Sequence, residues 1–244
     1  MKRIFLLAMI GLVLIGLLAG CAEKTEKVLV ATDATWPPFE SVNEQTKEIE
    51  GFDIDLLNAI AEEAGLEIEY VNVGFDPLLA GIAQCQYDAA ISAMTITEER
   101  KQKMLFSNPY FEAGQIVTVR IDNSDISGKD SLGGKTVGAQ IGTTGAIIVG
   151  DMDDVTLKTY DDVGLAFQDL MNGQIDAIVA DNPLALEYVN KNSNKLKTAG
   201  EVFTEEYYGI AICKDNTELQ AKINAGLKAV KAEGLIEELI QKWI

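Results

Sequence analysis

Residues 88–100 read D-A-A-I-S-A-M-T-I-T-E-E-R, and the parsing of this stretch decides the fold. An apolar run of strand character ends in the hydroxyl residues Ser92 and Thr95, and a helix start follows that brings Arg100 round about one turn later. Hydroxyls and freed backbone groups at a strand end, beside a fixed guanidinium, form a socket for a small carboxylate. The same letters also describe an ordinary capped helix, with Thr97 as cap and Glu98 and Glu99 in the first turn. The stretch alone leaves both readings open.

Its pattern returns further along the chain. Asp88 and Asp176 stand 88 residues apart, and at that offset Leu79 matches Phe167, Ile82 matches Leu170, Ala89 matches Ala177 and Ile91 matches Val179 without a gap. Each copy is a helix, a tight turn, Asp-Ala and a buried strand. Such a unit is common enough to arise twice by chance, so the repeat is an expectation of two similar α/β lobes. Around it, strand-like runs at 28–32, 67–73, 89–92, 136–139, 156–159 and 177–180 alternate with helix-like periodicity at 53–64, 77–84, 143–149, 163–172 and 183–191. Alternation of this kind predicts an α/β protein with mostly parallel sheets. Ligands in open α/β sheets bind outside the carboxyl ends of the strands. The offset sets Ala93 against Asp181, so the two strand ends are predicted to face each other across a cleft.

Lys2 and Arg3 precede an apolar run over 4–18 that ends in Leu18-Ala19-Gly20-Cys21. A basic start, a short apolar run and small residues before a cleavage point make a secretory signal. The L-A-G-C box resembles the bacterial lipoprotein signal, which implies that Cys21 becomes the lipidated first residue; 22–27 then reads as a tether. The formal charge is −18, or −20 without Lys2 and Arg3. So acidic a surface argues against nucleic acid or anionic lipid as partners and suits a cationic ligand. Without histidine, imidazole dyads, triads and metal sites are excluded, and no cysteine spacing is of metal type. Cys85 and Cys213 fit either one disulfide or two buried thiols.

Three further segments carry chemistry. The first strand runs into Asp33 and then Trp36, where an acid followed by an aromatic ring can receive a polar or cationic group. Capping and core packing explain the same pair. Gln140-Ile141-Gly142-Thr143-Thr144-Gly145 follows a strand and opens a helix, an arrangement in which glycine admits close approach and the threonines favour an anion. Asp181, before Pro183, either caps a helix or points into the cleft.

The chain resembles the amino-acid-binding proteins of ABC importers, the solute-binding family that includes glutamine-, histidine- and arginine-binding members. The resemblance rests on V-A-T-D-A-T-W-P-P-F-E, G-F-D-I-D-L, T-I-T-E-E-R, F-S-N-P-Y, G-T-T-G and Y-G-I-A-I, in that order. It implies a type II periplasmic-binding-protein fold, with two doubly wound α/β lobes joined by two hinge strands. Lobe one would span 28–109 and 209–244, lobe two 115–203, and the hinges 110–114 and 204–208. In the second crossing, Glu205 and Glu206 read as solvent-facing. The resemblance further implies a non-enzymatic monomer without cofactor or metal. It would be anchored by lipid outside the cytoplasm and deliver a free L-amino acid to a membrane permease and its ATPase.

Residue by residue, Arg100 resembles the arginine that grips the ligand carboxylate, helped by Thr95 and by the helix start at Thr143 and Thr144. Asp181 resembles the acid that takes the α-ammonium, with the Thr95 hydroxyl and the Ala93 carbonyl as further acceptors. Trp36 and Phe75 resemble an aromatic pair that sandwiches the side chain. Because Arg100 and Asp181 come from different lobes, the resemblance implies that binding closes the hinge. Specificity turns on Asp33 and Gln140. Glutamine-binding relatives tend to carry lysine at the latter position, and the neutral Gln140 leaves Asp33 without a cation beside it. An aspartate between aromatic faces suits a basic side chain, with cation–π contact worth about 0.5–2 kcal/mol. Arginine, lysine, histidine or ornithine is therefore the expected ligand class; glutamine is the alternative, and a dehydratase on the same scaffold the alternative of another class.

Overall fold

The computed structural model describes residues 26–244. The signal segment, Cys21 and most of the tether expected over 22–27 lie outside the described residues. Glu26 and Lys27 belong to the first strand rather than to a tether, because the parallel ladder with the strand Leu66–Asn72 runs on through Glu26 and Lys27.

Two five-stranded sheets organise the chain. The first has the order Leu66–Asn72, Glu26–Thr32, Ala89–Ala90, Ala211–Ile212, Leu105–Phe106; the second Thr156–Tyr160, Thr136–Gln140, Ala177–Asp181, Gln115–Arg120, Leu196–Ala199. In each, the first three strands are parallel and the fourth runs antiparallel to both of its neighbours. The repeat is therefore structural: Ala89 and Ala177 occupy the same central place in sheets of identical order and sense. The helices Phe75–Ala83 and Val163–Met171 also stand 88 residues apart at both ends. Each central strand is buried throughout, as a parallel strand covered on both faces must be.

The first central strand stops at Ala90 rather than Ser92. Asp53 accepts from the Ala93 amide at 2.7 Å and Ala93 takes a φ of 42°, which turns the chain out of the ladder. The elements beyond the predicted set are the antiparallel partners and the helices Thr217–Ala232 and Leu235–Trp243. Leu219, Ile223 and Leu227 of the former join Leu56, Leu57 and Ile60 of the helix Phe52–Ala64 in one core. This packing covers lobe one with the chain's last residues.

The chain passes between the sheets twice, at Phe111–Ala113 and Glu206–Tyr208, and these two strands pair antiparallel. Phe39 seats the pair by meeting the rings of Phe111 and Tyr208 edge-on at 5.1 and 5.2 Å. Cys85 and Cys213 form a disulfide, which decides between the two readings left open by the sequence. No helix among the described residues is long and apolar enough to cross a membrane.

Candidate functional site

One cleft between the lobes is lined by Asp33, Trp36, Phe75, Ser92, Ala93, Thr95, Arg100, Thr143, Thr144 and Asp181. Most stand at or just beyond the carboxyl ends of strands. Gln140, the last residue of its strand, reaches the cleft through Asp33.

The capped-helix reading of 88–100 holds. The helix Glu98–Lys103 is capped by the Thr97 hydroxyl, which accepts from the Arg100 amide. The Arg100 side chain nevertheless lies in the cleft. Its guanidinium donates to the Thr95 carbonyl at 2.6 Å and, across the cleft, to the Gly142 carbonyl at 3.0 Å. Gly142 has a φ of 80°, a conformation in which a side chain would be strained. Burial pulls Arg100 down to about 10, so it remains a cation at neutral pH.

Asp181 sits at the N-terminal boundary of the helix Asn182–Lys191 without capping it. Its two oxygens accept from Gln115 Nε2 at 2.7 Å and from the Tyr208 hydroxyl at 2.5 Å. Burial, and next the charge of Glu206, push its carboxyl up to about 7, against the pull of those bonds and of Arg100. Glu206 corrects the sequence reading. Whereas Glu205 is exposed, Glu206 is 7% exposed and accepts from the hydroxyls of Thr95 and Thr144 at 2.7 and 2.8 Å. The reason is its strand position: Glu206 and Tyr208 share one face, turned inward, while Tyr207 points out. Gln115, fully buried, was also missed; it donates to Thr144 as well as to Asp181.

At the far end, Asp33 accepts from Thr35 at 2.9 Å and from Gln140 Nε2 at 2.7 Å, the latter across the cleft. Burial raises its carboxyl, opposed by these bonds and by the Phe75 amide. No ion pair to Asp33 forms among the described residues. Trp36 and Phe75 both face this end, and the Arg100 guanidinium lies 5.4 Å from the Phe75 ring centre.

Beneath the cleft lies a network that the sequence did not disclose. The Asp33 amide donates to Ser92 Oγ, and that hydroxyl donates to Glu40 at 2.8 Å. Asp53 accepts from Tyr110 and from the Ala93 amide. Glu40 and Asp53 are both fully buried, and Glu40 Oε2 and Asp53 Oδ1 have no hydrogen-bond partner. Burial together with mutual repulsion disfavours charge on both acids at once. Burial above all drives Glu40 well up and Asp53 to about 7. The helix after Gly142 is seated by Gly145, where a Cβ would come within 2.9 Å of the Val179 carbonyl.

The family model described as bacterial extracellular solute-binding proteins, family 3, matches residues 28–244. The chain is 34% identical to ABC transporter arginine-binding protein 1 of Escherichia coli (strain K12) over 249 residues, covering 100% of this chain and 99% of that protein. Among solved structures, an ancestral arginine-binding protein bound to arginine superposes with a TM-score of 0.85 at 41% identity, covering 89% of this chain and 98% of the other. An ancestral arginine-binding protein bound to glutamine gives 0.86 at 41% identity, with 91% and 99% covered.

Proposed function

The chain belongs to the bacterial extracellular solute-binding proteins, family 3, and from that premise we propose that it captures a free basic L-amino acid, arginine foremost, for an ABC importer. In this reading the ligand carboxylate meets Arg100 beside the helix start at Thr143 and Thr144. The α-ammonium meets Asp181 with Thr95 and the Ala93 carbonyl. The side chain runs between Trp36 and Phe75 to Asp33, which Gln140 orients.

The observation that carries the basic specificity is the charge balance of the cleft. Among the described residues that line it, Asp33 and Asp181 stand against Arg100 alone. A ligand with two cationic ends and one carboxylate offsets that excess. A neutral amino acid does not. The match to arginine-binding proteins supports the same reading. Glutamine is the second reading, supported by the Gln140 amide at the side-chain end and by the likeness to a glutamine-bound structure.

Isothermal calorimetry on Asp33→Asn separates them. The substitution keeps the shape and removes the charge, so arginine affinity should fall by about tenfold to a hundredfold, the worth of one charge-assisted bond. Glutamine affinity should change by less than about threefold. Equal losses for both ligands would remove the case for cation selectivity.

We further propose attachment to the membrane, outside the cytoplasm, through a lipid on Cys21, on the strength of Leu18-Ala19-Gly20-Cys21. In a bacterial host, Cys21→Ala should abolish labelling by a palmitate analogue and release the protein from the membrane fraction. Labelling that persists would refute the anchor.

A further inference from the structure

Glu206 lies behind the cleft rather than in it. It lines a neighbouring groove whose wall includes Thr95 and Thr144, the residues that also line the cleft. One of its oxygens, Oε2, accepts from both hydroxyls, and Oε1 accepts from Thr204 at 3.0 Å. Thr95 comes from lobe one, Thr144 from lobe two and Glu206 from the crossing between them.

A hydroxyl has one proton to give, and a carboxylate can only accept. With both protons spent on Glu206, Thr95 and Thr144 have only lone pairs left for the cleft. Gln115 adds to the same order by donating one amide proton to Thr144 Oγ1 and the other to Asp181. Two residues further along the strand, Tyr208 donates to the second oxygen of Asp181. This wall thus presents the Asp181 carboxylate and two hydroxyl lone pairs. Acceptors so grouped suit an ammonium and repel a carboxylate. Arg100, on the opposite side of the choice, has donors only.

We propose that Glu206 is a positioning residue that fixes the hydroxyl protons of Thr95 and Thr144, making this wall an acceptor of the ligand's α-ammonium and so setting which way round the amino acid lies. The proposal rests on the amino-acid reading of the cleft. It also assigns the Thr95 and Thr144 hydroxyls to the ammonium, leaving the ligand carboxylate to Arg100 and the backbone of the helix start.

The test compares L-arginine with 5-guanidinopentanoate, which lacks only the α-amino group, by calorimetry on the full mature protein. In Glu206→Leu the side chain keeps about its size but offers no acceptor, so neither the Thr95 nor the Thr144 proton is held on that side. Arginine should bind about tenfold to a hundredfold more weakly, as for a lost bond to a charged group. The analogue, with no ammonium to lose, should bind within about threefold of its wild-type affinity. A Glu206 that merely braces the hinge would weaken both ligands alike, and that result, or no loss for either, overturns the proposal. Thr144→Val, which deletes one oriented acceptor, should give the same selective loss and carries the comparison if Glu206→Leu does not fold. A wild-type protein that binds neither arginine nor glutamine overturns the amino-acid reading itself, and the inference with it. Arginine binding with unselective loss in the variants overturns the inference alone.

Discussion

Arg100→Ala is expected to weaken arginine binding by about a hundredfold to several thousandfold, the range set by truncating one partner of a buried charge pair. Arg100 is 8% exposed, and a ligand carboxylate brought beside it gives up its water. Without the guanidinium, that carboxylate is left desolvated and close to Asp181 and Glu206, the two charges that act most strongly on Arg100. The substitution also removes the bond from Arg100 to the Gly142 carbonyl, a contact between the lobes. Both losses act on the bound state. The empty protein should scarcely notice, because burial already disfavours the charged guanidinium there and pulls its pKa down. Calorimetry and a thermal melt of the unliganded protein check the two halves together. Arg100→Lys should fall between wild type and alanine, since an ammonium cannot make the forked contact. Affinity within about tenfold of wild type in the alanine variant would sink the site as assigned.

The parts legible in the sequence were those whose signal is local or periodic. Alternation and the 88-residue offset disclose two similar α/β lobes, and the offset sets Ala93 opposite Asp181, both of which line the cleft. Thr97 read correctly as a cap because capping involves residues three apart. What remained hidden was set by tertiary contact. Glu206 looked like a surface acid beside Glu205, and only the alternation E-x-Y with Tyr208 hinted that both turn inward. Glu40 and Asp53 lie 13 residues apart in the chain and meet only because the turn at Gly51 and the helix Phe52–Ala64 bring them under Ser92. Gln115 opens a strand of apolar and β-branched residues, where an inward polar group announces itself only once Asp181 is placed beside it. The antiparallel strands Leu105–Phe106 and Ala211–Ile212 escaped detection because two-residue strands carry too little pattern.

Replacing both Cys85 and Cys213 with serine is expected to cost about 5 kcal/mol of stability, the chain-entropy value for a loop of this size. The two cysteines are separated by 128 residues, and the segment between them contains the whole of the second sheet and both crossings. Lobe one is built from chain on both sides of the second sheet. Its central strand Ala89–Ala90 pairs with Ala211–Ile212, so its folding requires a long loop to close. The disulfide holds those two strands together in the unfolded chain as well as in the folded one, and so removes most of that closure entropy. Against a total stability of about 5–15 kcal/mol this is a large share. For a chain of this length it corresponds to a fall in Tm of about 10–20 °C. Affinity for arginine at a temperature where the variant is folded should stay within about threefold, because the bridge and the cleft are independent sites. Cys85 precedes the strand Ala89–Ala90, whereas Ala93, Thr95 and Arg100 follow it. Thermal unfolding followed by circular dichroism, with and without reductant, measures the first effect and calorimetry the second. Wild type in reductant should melt with the double variant. A Tm lowered by less than about 3 °C would mean that the long loop is already closed in the unfolded chain by residual structure. Weakened binding in a folded variant would mean instead that the bridge shapes the cleft.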